Sequence, residues 1–248
     1  MKKLLVAVLA ILPMLGLAAG KQVPLLSANV DVRDKAAVQS GMKLYMNYCM
    51  GCHSLKYQRY ERTFDDNGIP HDLGLEHLVP EGFKVGALMT NSMDSEDAAK
   101  WFGAAPPDLT LVTRLKGAGS KGQDWVYTYL KSFYADPSRP FGVNNKVFKD
   151  VGMPHALIEL QGLPEEATEK HMIDGQMVDV KVGLRATGGE LSAADYDKAV
   201  KDLVTFLAYI AEPSRVESEA IGKKVIIFLL VLLFFVFLLK KEFWRDIH

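Results

Sequence analysis

Cys49-Met50-Gly51-Cys52-His53 places two thiols and an imidazole within five consecutive residues. Two thiols separated by two residues can each bond one vinyl group on the same edge of a haem. The histidine that follows then reaches the iron from one face. Cys49 and Cys52 are the two cysteines of the chain, so this motif implies one covalently bound haem c with His53 as its first axial ligand. Two other chemistries use the same residue types. A zinc site needs further ligands at the right spacing. His71, His77, His155, His171 and His248 could contribute, but there is no second C-x-x-C. A thioredoxin-like redox pair starts a helix after a strand, whereas this pair ends a helical segment.

The opposite face of the iron needs a second ligand. A thioether there stabilises ferrous iron and makes an electron carrier, whereas a vacant position suggests catalysis or gas binding. Met42 and Met46 lie on the segment leading into the motif and cannot easily reach the far face. Met172 and Met177 flank a hairpin-like acidic stretch. Met153 stands in Val151-Gly152-Met153-Pro154-His155, where glycine before and proline after make a stiff, non-helical loop able to present sulfur to iron. Met89 and Met93, around the polar run Thr90-Asn91-Ser92, and His155 stay open as alternatives.

Thioether attachment takes place outside the cytoplasmic membrane, and both ends of the chain agree with export. Residues 1–20 have a basic start at Lys2 and Lys3, an apolar run from Leu4 to Leu17, and small residues Ala18-Ala19-Gly20, the pattern of a secretory signal peptide. Val225–Leu239 contains no polar residue; its 15 residues make ~22 Å of helix, short of the ~30 Å hydrocarbon core. Lys223, Lys224, Lys240 and Lys241 can snorkel, and Phe243 and Trp244 suit the interface. The expectation is a single membrane helix over 221–241, a cytoplasmic tail over 242–248, and a periplasmic haem domain over 21–220.

Within that domain, Asp34–Tyr48 reads as a helix whose interior Gly41 implies a close helix–helix approach. Residues 125–134, WVYTYLKSFY, read as an aromatic amphipathic helix, and Gln176–Lys181 as a short alternating strand. Ser192-Ala193-Ala194-Asp195 reads as a capping box opening a helix through Ile210 that Glu212-Pro213 ends. Ser214–Ala220 reads as a charged linker. These are helices in a loop-rich frame, where a large apolar cofactor would complete the core.

The 248 residues are 49% hydrophobic and 24% charged, which excludes a disordered chain. The formal net charge of −1 argues against nucleic-acid binding. Mean hydropathy, +0.05, is raised by the two ends. Acidic residues are unevenly spread: 61–97 holds nine against Arg62 and Lys84, and 159–179 holds six against Lys170. Such patches could steer a basic partner.

Cys49–Tyr57, Ala105-Pro106-Pro107-Asp108-Leu109-Thr110, Gly152-Met153-Pro154, and the Val200–Pro213 helix followed at once by an anchor together resemble the cytochrome c1 family. The resemblance implies a mostly α, class I cytochrome c-like haem domain with loop insertions and one C-terminal transmembrane helix. It implies thioethers at Cys49 and Cys52, iron ligation by His53 and Met153, Pro107 at the haem edge and Arg114 facing a haem propionate. It also implies single-electron transfer from a Rieske iron–sulfur protein to a c-type cytochrome. The setting would be a dimeric quinol–cytochrome c oxidoreductase with cytochrome b in a bacterial inner membrane. A stand-alone anchored cytochrome and a periplasmic haem peroxidase are the competing readings.

Overall fold

The computed structural model describes residues 23–117, 119, 121–173 and 176–245. The signal-peptide segment 1–20 and the end of the tail lie outside them. In chain order the elements are α1 (Lys35–Tyr48), β1 (Leu55–Arg59), α2 (Tyr60–Asn67), α3 (His71–His77), β2 (Leu88–Met89), α4 (Ser95–Phe102), α5 (Val112–Leu115) and α6 (Lys121–Lys131). There follow β3 (Phe133–Ala135), β4 (Val143–Asn145), α7 (Ile158–Gln161), β5 (Gly162–Ile173), β6 (Gln176–Gly188), α8 (Ala193–Ala211) and α9 (Arg215–Phe243).

The core is built on the crossing of α1 and α8. Asp34 caps α1 by accepting from Ala37 N, and Ser192 caps α8 by accepting from Asp195 N. Each side chain satisfies a backbone donor that the first helical turn leaves unpaired. Val38, Met42 and Tyr45 of α1 are buried against a stripe of α8 that includes Val200, Leu203 and Phe206. Gly41 marks the closest approach: a Cβ there would lie 2.1 Å from the Asp202 carbonyl oxygen. Helix α6 closes a second side of α8, where the buried Tyr196 hydroxyl donates to Leu130 O at 3.0 Å.

Among the described residues, three two-stranded antiparallel sheets decorate this frame: β1 with β2, β3 with β4, and β5 with β6. The aromatic segment 125–134 divides between two elements. It is helical to Lys131, then turns at buried Ser132, whose hydroxyl bonds Asn145 Oδ1, and Phe133 enters β3. The strand read at Gln176–Lys181 is part of the longer β6, paired from Gly162↔Gly188 to Ile173↔Gln176. The base of this long hairpin is clamped by Leu191 N donating to Leu160 O and Glu190 N to Glu159 O.

Pro213 separates α8 from α9. The stretch 214–220, read as a linker, is instead almost wholly helical, since α9 begins at Arg215. Its 29 residues give ~44 Å of helix, long and apolar enough to cross a membrane. Its first turns are fastened to the arm before α1 by an Arg33–Glu219 ion pair, and Arg215 joins Glu219 at 3.0 Å.

Candidate haem-binding site

The motif winds directly off the end of α1. Cys49 N and Met50 N both donate to Tyr45 O at 2.9 Å, and His53 N donates to Cys49 O at 2.8 Å. The Tyr45 hydroxyl donates to His53 O at 2.5 Å, and its ring lies 5.6 Å from that of Phe206. The packed α1–α8 pair therefore fixes the turn that carries Cys49, Cys52 and His53. Both thiols are unbridged. Burial, then the neighbouring Cys52, pushes the Cys49 thiol up to about 12. A redox-active pair needs the reverse shift.

His53 is buried, and its Nδ1 lies 2.7 Å from Pro107 O. A carbonyl only accepts, so Nδ1 carries the proton and donates. Nε2 is left with its lone pair, the state a metal requires. Burial lowers the His53 pKa, partly offset by the Pro107 carbonyl and the Asp108 charge, so the ring is neutral near pH 7. The loop bearing Pro107 is itself tied down. Leu109 N donates to Ser54 O at 3.0 Å, and Asp108 accepts from Lys56 N at 2.9 Å and Thr110 N at 3.0 Å. The Pro-Pro-Asp-Leu-Thr segment thus works through its backbone: Pro107 orients the His53 imidazole with its carbonyl. Beside Cys52 opens a cleft of about 280 Å³ bordered by Asn91, Met93, Pro106 and Asp108.

Met153 follows a constrained loop. Asp150 adopts φ +61°, its N–H donates to Asn144 Oδ1 at 2.8 Å, and its carbonyl accepts from Arg139 at 2.8 Å. A Cβ at Gly152 would lie 3.0 Å from Phe102 O. Met153 is half-buried against Phe133, Val143 and Val151. Its sulfur accepts from the Tyr129 hydroxyl at 3.3 Å. The other methionines separate by burial. Met42 is fully buried between helices, and Met89 is fully buried opposite Leu55. Met172 and Met177 face each other at the far end of the long hairpin, 70% and 60% exposed. Met93 borders the cleft beside Cys52.

His155 is a buried residue, not the surface residue its loop suggests. Its ring stacks on Phe133 at 4.9 Å and 9°, and its Nε2 has no hydrogen-bond partner. Burial lowers its pKa to about 4 against the opposing effects of Gln161 and Gly162. Arg114 is exposed on α5 and pairs with Glu212, at the C-terminal end of α8, at 2.6 Å. The cation placed against the site's aromatics is one that sequence reasoning missed. Lys116 Nζ lies 4.3 Å from the Trp125 ring centroid, and Trp125 stacks on Tyr129 at 5.1 Å and 11°.

The residues fit a covalent haem. Adjacent unbridged thiols and an imidazole with a locked tautomer are candidate donors, and the Met153 thioether stands on a separate braced loop. Trp125, Tyr129, Leu109 and Val112 pack against the main core and are only partly buried there.

Residues 84–247 match the family model described as the Cytochrome C1 family. The chain is 48% identical to a cytochrome c1 of Allochromatium vinosum across the full length of both proteins. It is 37% identical to a protein named ammonia monooxygenase gamma subunit from Nitrosomonas europaea, over all of this chain and 99% of that one. It is 26% identical to a cytochrome c1 of Rhodospirillum rubrum, over 86% of this chain and 83% of that one.

Proposed function

The chain belongs to the cytochrome c1 family, and from that premise we propose which residues, orientation and partners carry its work. It is a membrane-anchored electron-transfer haem subunit of the cytochrome bc1 complex, alongside cytochrome b and the Rieske protein, and carries a covalent haem c. The bound haem supplies a one-electron ferric–ferrous couple.

In the proposed arrangement Cys49 and Cys52 would hold the haem through thioethers, and His53 and Met153 would ligate its iron. The observation that carries this reading is the His53–Pro107 bond, which frees Nε2 for a metal. Lys116 is the proposed second cation for the propionates beside Arg114, whose guanidinium Glu212 already engages. His155 is the rival sixth ligand, because its Nε2 is buried without a partner on the same loop.

The haem domain faces the periplasm of a bacterial inner membrane, following the export pattern of residues 1–20, with the tail inside. The donor is the Rieske protein, the acceptor a c-type cytochrome, and the complex a dimer. The proposed acceptor face is the end of α4 beside the Met153 loop. Trp101 is 63% exposed there, Phe102 lies 5.9 Å from exposed Phe141, and the first turn of α4 adds exposed Glu96 and half-buried Asp97 after exposed Asp94. An apolar centre with an acidic rim suits a partner with a basic rim around an exposed haem edge.

Visible and near-infrared spectra of the oxidised and reduced membrane-extracted protein test the ligation, with Met153→Leu and His155→Phe alongside. A low-spin spectrum with a thioether-to-ferric-iron band that Met153→Leu loses and His155→Phe keeps is the expected result. A high-spin wild-type spectrum, or a band that survives in Met153→Leu, overturns the assignment.

A further inference from the structure

We propose that Tyr129 tunes the sixth ligand: its hydroxyl donates to the Met153 sulfur while that sulfur ligates iron, and so holds the haem at a higher midpoint potential. The proposal rests on Met153 being the ligand. A thioether sulfur has two lone pairs, so one can bind iron while the other accepts a hydrogen bond. The O–S separation is 3.3 Å.

Tyr129 is held so that this bond is not incidental. Its ring stacks on Trp125 at 5.1 Å and meets Phe133 edge-on at 5.2 Å and 73°. Its carbonyl accepts from Asn145 Nδ2 at 2.7 Å, which ties the end of α6 to β4. Its ring packs against both the α1–α8 core and the small cluster that contains Met153. The Met153 loop is fixed from the other side by Arg139 and Asn144. Donor and acceptor thus stand on two elements that are both braced against β4.

The direction of the effect follows from electron donation. A hydrogen bond draws density from the sulfur and makes it a poorer donor. Ferric iron depends on that donation more than ferrous iron does, so the bond favours the reduced state. Removing the hydroxyl reverses this.

The test is potentiometric titration of the haem-loaded full chain with Tyr129→Phe, which keeps both ring contacts. The expected shift is about threefold toward the ferric state, or ~28 mV lower for one electron. Added imidazole should also displace Met153 less readily. Tyr196→Phe is the control, because it loses a buried hydroxyl bond, to Leu130 O at 3.0 Å, with no sulfur involved. Global incorporation of 3-fluorotyrosine into the wild-type chain gives a second reading that survives any failure of Tyr129→Phe to load haem. Fluorination acidifies the phenol and strengthens the donor, so the potential should rise.

An unchanged or raised potential in Tyr129→Phe overturns the proposal, as does an equal fall in Tyr196→Phe or no rise with 3-fluorotyrosine. If the wild-type ferric spectrum lacks the thioether band, the ligation reading itself has failed. A band present with no change of potential overturns the tuning alone.

Discussion

Gly41→Ala sets two opposed effects against each other at the centre of the fold. In a helix interior alanine is favoured over glycine by about 1 kcal/mol, so an isolated α1 would gain. In the folded protein the new Cβ would stand 2.1 Å from Asp202 O and 2.7 Å from both Asp202 C and Phe206 Cβ, against ordinary contact beginning at 3.4 Å. The helices must therefore separate by roughly 1 Å to restore van der Waals contact, because the obstacle is the α8 backbone and not a flexible side-chain end. That separation loosens Val38, Met42 and Tyr45 from their partners on α8. Overpacking of a dense core costs ~1–3 kcal/mol, and rigid backbone on the far side puts this site at or above the upper end. The net expectation is a loss of ~2 kcal/mol, which for a domain near 200 residues lowers the Tm by about 4–8 °C. Circular-dichroism melts of the haem-loaded, detergent-solubilised protein, run at one concentration and scan rate, measure the difference. Gly222→Ala on α9 is the control, since a Cβ there meets nothing within 4 Å and should be neutral or slightly stabilising. An unchanged or raised Tm for Gly41→Ala would refute the close-approach reasoning, whatever the control does.

Acid should weaken the fold through His155. Its folded pKa of about 4 lies below the usual 6.5, so the unfolded chain binds the extra proton first. The stability it contributes is complete above pH 6.5 and is lost as pH falls toward 4, by about 3 kcal/mol at most. Denaturant titrations at pH 7.5 and 5 should show this loss, and His155→Phe, which retains the stack on Phe133, should flatten it; an equal loss in the variant sinks the attribution. Reduction of the acceptor cytochrome should slow as salt rises and slow severalfold further in Trp101→Ala. Stopped-flow rates independent of both salt and Trp101 would place the docking face elsewhere.

Local chemistry made much of the fold readable in advance. The thiol spacing, the cap at Ser192, the stop at Pro213 and the demand of Gly41 for a close neighbour each depend on residues within one or two turns of each other. The long hairpin hid for the opposite reason. Strand β5, GLPEEATEKHMI, is polar and carries Pro164, so it lacks the apolar alternation that marks a strand. Its existence depends on pairing with β6 and on the clamp at Leu160 and Leu191. Met89 looked like a loop residue because its neighbours Thr90, Asn91 and Ser92 are polar; only its place opposite Leu55 buries it.

The same distinction separates the proposed ligands from the groups proposed to adjust them. His53 and Met153 announce themselves through a motif and a stiff loop. The groups that orient and tune them, the Pro107 carbonyl and the Tyr129 hydroxyl, lie 54 and 24 residues from their partners. A proline backbone oxygen and one tyrosine among nine carry no local signal of such roles. A pair of proteins with the same C-x-x-C-H and the same distal methionine can therefore differ in potential through a residue no motif contains. For this chain that difference is expected to reside in α6, where an aromatic run that reads as helix packing also delivers a hydroxyl to the Met153 sulfur.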